Sequence, residues 1–365
     1  MIRILMFGVS YQAGGVENFL YNYVSRLQNR DDFQIDFLST HKKLAFEDEF
    51  RSMGCSVFSV PDARKNPWKA RRCMTLAMAG GKYDILHINM LSAANLTPLT
   101  AGKKACIPHI IAHSHNAQVP PGLLRKFLHT CNRRRLPSLA DTFFACSDAA
   151  GQWLFPPGRS FQVVRNAIDE HRFRFQPEIR EEMRRRLHLE ENLVLGHVGR
   201  FQYQKNHDFL LDIFHQITLL RPEARLILIG AGELLPSMQE KVRRLHLEHS
   251  VLFPGAQNNV SDWLQAMDAA LLPSHFEGLP LTAIEAQACG LPLFASDAVS
   301  PEICITPLAH RFPLSLSAEE WAGEILAALS SHRREDTSGQ IRAAGYSIDA
   351  EADRLAKLYH HIAGC

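Results

Sequence analysis

Short apolar runs alternate with amphipathic or polar stretches along almost the whole chain. The runs have the length of β-strands, and their periodicity favours strands at 2–9, 34–38, 56–60, 84–88, 109–112, 142–146, 161–164, 193–199, 225–229, 251–253, 269–272 and 291–295. Apolar positions at helical spacing predict helices from near Val16 and at 208–220, 260–267, 319–329 and 348–362. This alternation predicts an α/β protein built on doubly wound parallel sheets.

The chain of 365 residues is long enough for two hydrophobic cores. A charged, arginine-rich segment at 170–192 separates the two sets of strands and is typical of a linker followed by a surface helix. A new set of strands begins at Leu193. We therefore place the domain boundary near residue 170.

The segment from Ser274 to Pro292 carries the most specific chemistry. It follows an apolar strand, turns through Glu277 and Gly278, and enters a helix at Thr282 that contains Glu285. A helix N-terminus at the carboxyl end of a parallel strand offers free N–H groups to a phosphate. The two carboxylates can accept hydrogen bonds from hydroxyl groups, so the segment favours a ligand such as a nucleotide sugar.

A structural alternative exists for the same residues. Thr282-x-x-Glu285 also fits a capping box, in which Glu285 only satisfies its own helix terminus. Glu277 alone could be a solvated loop acid.

Two cations follow another strand of the second half. Arg200 and Lys205 stand in Gly-Arg-Phe-Gln-Tyr-Gln-Lys-Asn, just before a helix, where they suit a diphosphate. The alternative is an exposed basic loop. Gly14 and Gly15 precede the first helix and would let a ligand approach its N-terminus, although tight turns use glycine in any case.

A nicotinamide cofactor is disfavoured. The dinucleotide-binding pattern fails after Gly8, where Ser10 takes the second glycine position, and after Gly230 and Gly232, where Leu235 takes the third. His113 and His115 could face the same way, but no third metal ligand follows at a suggestive spacing. We expect His115 or Asn116 to line a crevice, and no metal.

Charge is distributed unevenly. Residues 1–168 contain 21 Lys and Arg against 11 Asp and Glu, a formal charge of +10, and the remainder carries −8. The stretch 103–135 has seven basic residues and no acid. It predicts an anionic partner such as a membrane surface, with a solvated face as the alternative.

The remaining features predict a cytoplasmic protein. The eight cysteines are scattered without a CxxC pair, as in a reducing compartment. No apolar run reaches transmembrane length, and the N-terminal residues do not resemble a signal peptide.

Taken together, these motifs resemble the family-4 retaining glycosyltransferases of the GT-B fold. Three motifs occur in the family's order: Gly14-Gly15, the Arg200/Lys205 loop, and Glu277 and Glu285 in a Glu-x₇-Glu frame. The His-Ser-His-Asn stretch at 113–116 is similar to a branch that builds bacterial capsular polysaccharides or exopolysaccharides.

The resemblance implies two Rossmann-like domains facing each other across a cleft. Residues 1–170, with a final helix at about 346–365 crossing back, would bind the acceptor, and residues 171–345 would bind the nucleotide-sugar donor.

The resemblance also implies the role of each residue. Arg200 and Lys205 would neutralise the donor diphosphate, Glu285 would bind ribose hydroxyls, and Glu277 would contact the transferred sugar. Further donor contacts would come from Gly14, Gly15, Pro254, Gly255, Gly278, Leu281 and Thr282, and from His115 on the sugar.

The predicted function is transfer of a sugar, which family frequency predicts to be UDP-linked, to a glycan or lipid-linked acceptor, without a metal or other cofactor. The predicted location is cytoplasmic, at the inner face of the membrane if the 103–135 stretch binds it. A nucleotide-sugar epimerase on the same fold and a non-catalytic sugar-binding or anion-binding protein are the alternatives, and no nucleic-acid partner is expected.

Overall fold

A computed structural model describes residues 1–12, 14–62, 66–116 and 122–364. The chain forms two compact units, one made of Met1–Ala167 with the segment from Ile348 onward, the other of Ile168–Ser347. The sequence-based boundaries were 170 and 345. None of the described helices is long and apolar enough to cross a membrane.

In the described part of the first unit, the parallel sheet runs in the order β3-β2-β1-β4-β5-β6-β7. Its strands are β1 Ile2–Phe7, β2 Phe33–Ser39, β3 Val57–Ser59, β4 Ile85–Met90, β5 His109–Ser114, β6 Thr142–Ala145 and β7 Gln162–Val163. Its helices are α1 Gly15–Leu27, α2 Glu47–Ser52, α3 Pro67–Gly80, α4 Thr97–Lys104, α5 Leu123–Arg133, α6 Leu136–Leu139, α7 Asp148–Leu154 and the C-terminal α16 Ile348–Ala363.

Helices cover both faces of this sheet. On one face, α1 and α16 bury Phe19, Tyr23 and Tyr359, and on the other α3 and α4 bury Met74 and Leu99. Helix α16 is fixed by a hydrogen bond of 2.6 Å between the Tyr359 hydroxyl and a ring nitrogen of the buried His87. The predicted return of the last helix to the first unit is confirmed.

In the second unit the parallel sheet runs in the order β10-β9-β8-β11-β12-β13. Its strands are β8 Val194–Val198, β9 Arg225–Ile229, β10 Val251–Gly255, β11 Ala269–Leu272, β12 Leu293–Ser296 and β13 Ala309–Phe312. Its helices are α8 Glu170–Phe173, α9 Pro177–Leu187, α10 His207–Leu220, α11 Leu235–Arg244, α12 Val260–Ala266, α13 Leu281–Ala288, α14 Ala318–Leu329 and α15 Ser338–Ala343, with 3₁₀ turns at Tyr203–Lys205 and Pro301–Ile303.

This unit also has a core on each face of its sheet. Helices α10 and α14 bury Phe214 and Trp321 on one face, and α12 and α13 bury Trp263 and Ile284 on the other. The predicted doubly wound α/β architecture is therefore confirmed. Strand β13 was not predicted, because its four residues are only half-buried and include His310 and Arg311.

Candidate functional site

The central loops of the second unit are held together at the carboxyl edge of its sheet. Strands β8 and β11 are neighbours, so the loops that follow them leave the sheet side by side. The His275 amide donates to the Gln204 carbonyl at 2.8 Å, and the Asn206 side-chain amide donates to the Pro273 carbonyl at 3.0 Å. Ligands of open parallel sheets bind at this edge.

Lys205 and Glu277 meet between these two loops. The Lys205 ammonium donates to Glu277 Oε1, and only 12% and 9% of the two side chains are exposed. The Ser274 hydroxyl donates to the same carboxylate at 3.1 Å and the Gln204 side-chain amide at 3.3 Å. The structure thus brings Lys205, predicted to bind the diphosphate, and Glu277, predicted to contact the sugar, into one hydrogen-bonded group.

Arg200, by contrast, is exposed, and no carboxylate among the described residues pairs with it. Its loop is fixed by backbone contacts from the loop after β9. A Cβ at Gly230 would lie 2.0 Å from the Gly199 carbonyl oxygen, and one at Gly232 would lie 2.4 Å from that of Phe201. The Gly-x-Gly after β9 therefore serves close packing of the Arg200 loop, which agrees with the failed dinucleotide pattern.

Helix α13 begins one residue earlier than the sequence suggested. Pro280 is its N-cap, and the helix has no side-chain cap. The Thr282 hydroxyl is buried without a partner among the described residues, and Glu285 is the fifth helical residue. The capping-box alternative is therefore wrong, and the first N–H groups at Leu281 and Thr282 are those that an α-helix leaves unsatisfied.

Glu285 lies half-buried one turn into α13. Burial raises the pKa of its carboxyl to about 7, and the Arg172 guanidinium opposes this rise. Arg172 was not identified from the sequence, because it lies in the charged segment that was interpreted as a linker. It also donates to the Asn258 carbonyl at 2.9 Å, which fixes the loop after β10.

Pro254 and Gly255 end β10 at the same edge of the sheet. The Gly255 carbonyl accepts from the Gly230 amide at 3.0 Å, and the Gln257 side chain donates to the Pro254 carbonyl at 2.6 Å. The predicted base-binding segment therefore adjoins the Arg200 loop through Gly230.

Two buried histidines, His197 and His207, lie near Lys205. His197 donates from Nδ1 to the Leu271 carbonyl at 2.7 Å, and its ring lies 4.7 Å from that of His207. Burial, with help from the charge of Lys205, lowers the pKa of His207 to about 4 and that of His197 well below its usual value. Both are neutral near pH 7, so Arg200 and Lys205 supply the positive charge at the ends of these strands.

Gly14, Gly15 and Gly278 are predicted to contact the donor. Gly14 is the extended N-cap of α1, and Ser10 in the preceding loop donates its amide to the buried Glu17 at 2.8 Å. A Cβ at Gly15 or Gly278 would meet no atom within 4 Å. Packing within each unit therefore does not require glycine at either position.

In the first unit, His115 follows β5 in a row of buried histidines. The Asn89 side chain donates to the Phe7 carbonyl at 3.0 Å, so its oxygen accepts from His115 Nε2 at 2.8 Å. This hydrogen bond places the His115 proton on Nε2, and burial lowers the pKa of the ring to about 3. Nδ1 is then a buried acceptor without a partner among the described residues.

His113 and His87 continue this row toward the C-terminal helix. His87 Nε2 lies 3.0 Å from His113 Nδ1, and the rings of His113 and His115 are 4.0 Å apart. Burial lowers the pKa of both His87 and His113. No three His, Cys, Asp or Glu side chains among the described residues form a group that could hold a metal ion.

Ser274 and Gln204 were also missed as partners of Glu277. Both lie inside motifs that the sequence singled out, but only the pairing of the two loops shows that they reach the carboxylate. The ligand roles assigned to the site residues stay predictions.

Two family models match the chain side by side and together span most of it. The model described as Glycosyltransferase Family 4 matches residues 13–172, and that described as Glycosyl transferases group 1 matches residues 178–344.

Curated proteins that are similar over a large share of the chain are glycosyltransferases. The putative glycosyltransferase EpsF of Bacillus subtilis is 28% identical, covering 98% of this chain and 96% of its own length. The lipopolysaccharide core biosynthesis mannosyltransferase LpsB of Rhizobium meliloti is 26% identical over 64% of this chain and 69% of its own.

Among solved structures, Anabaena HepE in complex with UDP superposes with a TM-score of 0.80 at 18% identity, covering 99% of this chain and 100% of that one. This likeness establishes the fold. The chain belongs to the family-4 glycosyltransferases and has the GT-B fold.

Proposed function

We propose that this protein is a retaining glycosyltransferase that moves a hexose from a UDP-sugar to a hydroxyl group of a glycan or lipid-linked acceptor in the synthesis of a cell-surface polysaccharide. The observation that carries the proposal is the group formed by Lys205 and Glu277 close to Arg200 and α13, in a chain of this family.

The choice of donor is supported by the site and by a structural relative. Cations and a helix N-terminus suit a diphosphate, and carboxylates suit the hydroxyls of ribose and of a hexose. HepE has been crystallised with UDP and with UDP-glucose. In our proposal Glu285 binds the ribose, the segment at Pro254 and Gly255 lies against the base, and Gly278 leaves room for the sugar.

Charge stabilisation drives the proposed reaction. The bond between the anomeric carbon and the phosphate oxygen breaks, and its electron pair stays on the nucleoside diphosphate. Arg200, Lys205 and the first N–H groups of α13 stabilise the developing negative charge. These groups occupy the role that a metal ion has in other transferases, so we propose that transfer needs no metal.

We propose attack on the same face of the sugar that the diphosphate leaves. The acceptor oxygen bonds to the anomeric carbon, and its proton passes to an oxygen of the leaving phosphate. The alternative, double displacement, needs a free carboxylate nucleophile. Glu277 accepts hydrogen bonds from Lys205, Ser274 and Gln204, which reduces its nucleophilicity and favours the first mechanism.

The cellular setting is inferred from the relatives and the surface. EpsF covers nearly the whole chain, and amylovoran and Vi polysaccharide biosynthesis proteins match parts of it. Six of the described cysteines, Cys55, Cys73, Cys106, Cys131, Cys289 and Cys304, are free thiols, which fits a reducing cytoplasm. We propose that the protein works at the cytoplasmic face of the membrane.

Helix α5 is the proposed membrane contact within the stretch 103–135, of which residues 117–121 lie outside the described residues. Only His129 of this helix is buried, whereas Leu123, Leu124 and Phe127 are 89%, 69% and 64% exposed. Exposed Arg125 and Lys126 lie among them, as in helices that bind anionic lipid.

Calorimetric titration tests the donor site. UDP, GDP, ADP and NADH are titrated without divalent metal into the wild type, Lys205→Ala and Glu285→Ala. The proposal expects UDP to bind and both variants to bind it at least tenfold more weakly. Binding of NADH alone, or UDP binding indifferent to both changes, would contradict it. Conversion of a UDP-sugar to an isomer without transfer would indicate an epimerase.

A further inference from the structure

A cavity of about 310 Å³ lies entirely within the first unit. It opens between the start of α3, the loop from β4 to α4 and the end of α5. The loops that follow β3 and β4 leave the carboxyl edge of the sheet, where ligands of this architecture bind. Its volume is at the lower end of the range for small-molecule sites.

The charged lining of this cavity is entirely basic. Its charged members among the described residues are Arg71 and Arg135, and neither forms an ion pair there. The Arg71 guanidinium carbon lies 4.9 Å from the centre of the Trp68 ring. Stacking of this kind orients the guanidinium plane and leaves its N–H edge available for an oxyanion.

Four of the remaining lining residues are polar, namely Asn95, Thr97, Thr100 and Asn132, and hydrogen bonds hold part of this lining in place. The Asn132 side-chain amide donates to the Ala93 carbonyl at 3.0 Å, which joins the end of α5 to the β4–α4 loop. The Asn95 side chain accepts from the Thr97 amide at 3.0 Å where α4 begins. Arg135 is placed by its own amide, which donates to the Asn132 carbonyl at 2.8 Å. The cavity wall is therefore built before any ligand arrives.

These features select a class of ligand. Two guanidinium groups match a phosphate or diphosphate, to which arginine donates bidentately. The Trp68 side chain, 75% exposed, offers a flat apolar surface next to the cations for a sugar ring or an isoprenoid chain. A cavity of this size admits such a head group but is too small for a nucleic-acid duplex.

On the basis of the proposed transferase function, we propose that this cavity binds the phosphate or diphosphate group of the acceptor. The acceptor is then a phosphorylated molecule, held in the first unit by Arg71 and Arg135 with Trp68 against the adjoining group.

The test is a titration of the full-length protein with inorganic pyrophosphate and with geranyl diphosphate, in the presence of saturating UDP so that the donor site is filled. Arg71→Ala and Arg135→Ala are each expected to weaken binding at least tenfold. Arg72→Ala and Arg134→Ala remove the same charge from adjacent exposed positions and are expected to change it less than twofold.

Equal binding of the two probes would indicate a soluble phosphate ester. Tighter binding of geranyl diphosphate that Trp68→Ala removes would indicate a lipid-linked one, and either result supports the site. Equal weakening by all four arginine variants, or no binding of either probe, overturns it. Failure of the proposed transferase function can be told apart from failure of this cavity proposal, because in the first case the wild type would not bind UDP.

Discussion

The ammonium group of Lys205 donates to the carboxylate of Glu277, across two loops that leave neighbouring strands of the second unit. A bound diphosphate would compete with that carboxylate for the same ammonium. The ion pair thus couples the group that we propose for the leaving phosphates to the group that we propose for the sugar.

This coupling predicts opposite effects of two substitutions on UDP binding. Glu277→Gln removes the competing charge and frees Lys205, so we expect UDP to bind as tightly as in the wild type or more tightly. Lys205→Ala removes a cation, and we expect UDP binding to weaken at least tenfold. Calorimetry measures both. The rate of sugar transfer should fall at least a hundredfold in each variant, and weaker UDP binding by Glu277→Gln would refute the competition.

Glu285 makes stability depend on pH in a defined direction. An unfolded Glu has a pKa of about 4.3, whereas burial raises that of folded Glu285 to about 7. The destabilisation is therefore absent below the unfolded value and fully present above the folded value. Glu285→Gln avoids it, so we expect the variant to gain up to about 3 kcal/mol relative to the wild type at pH 8.5 and almost nothing at pH 4.

Urea unfolding without ligand at both pH values measures this difference. Glu324→Gln changes an exposed acid of the same unit and is the control. A gain for Glu285→Gln that does not depend on pH would mean that the carboxyl is not desolvated in the folded protein.

The sequence predicted both sheets because their strands are short apolar runs, and period and length identify such runs. Strand β13 was not predicted, because its residues are half-buried at the edge of the sheet. At the site, the motif residues could be found, but the ion pair between Lys205 and Glu277 could not. It depends on which strands are neighbours in space, and in the sequence those residues are 72 positions apart.

The same limit applies to the N-terminus of α13 and to Arg172. Thr282 and Glu285 fit a capping box by spacing alone, yet Pro280 takes the N-cap position and the Thr282 hydroxyl is buried. Arg172 influences Glu285 from a segment more than a hundred residues away, and no local pattern marks that relationship.

Two glycines near the site should respond differently to substitution by alanine. The Cβ that Gly278→Ala adds would meet no atom within 4 Å, so we expect unchanged stability. We also expect weaker use of the donor sugar, seen as a raised KM for the UDP-sugar. At Gly230, φ is +144° and the new Cβ would lie 2.0 Å from a carbonyl oxygen, so we expect a loss of about 2 kcal/mol or more.

Thermal unfolding and steady-state kinetics separate the two effects. Gly323→Ala, inside α14 with free space around the new Cβ, is the control and should stabilise by about 0.5–1 kcal/mol. Destabilisation by Gly278→Ala would show that packing, and no ligand, requires that glycine.

Asn89 should control the protonation of His115. Asn89→Asp places a carboxylate beside the Nε2 proton, which stabilises the charged ring, so we expect the pKa of His115 to rise from about 3 by roughly 1–3 units. The ring then loses its free acceptor at Nδ1 as pH falls through the raised value. Transfer by the variant should decline at acidic pH where the wild type stays active.

An NMR titration of the His115 ring measures the shift directly. Asn29→Asp introduces the same charge at an exposed position just after the end of α1 and should leave the His115 pKa unchanged. An unaltered His115 pKa in Asn89→Asp would contradict the proton assignment.

Helix α5 should bind anionic membranes through both its charge and its apolar side chains. Each Lys or Arg near such a surface contributes about 1 kcal/mol, so Lys126→Glu should weaken binding to phosphatidylglycerol vesicles about ten- to thirtyfold. Phe127→Ser should weaken it by loss of apolar burial, an effect that 0.5 M salt does not abolish. Arg133 is left intact, because it donates to the Gln152 carbonyl at 3.0 Å.

Co-sedimentation measures binding, and Lys42→Glu, an exposed charge reversal elsewhere on the same unit, is the control. If Lys42→Glu weakens binding as much as Lys126→Glu does, the attraction comes from the overall positive charge of the first unit and α5 is not the contact.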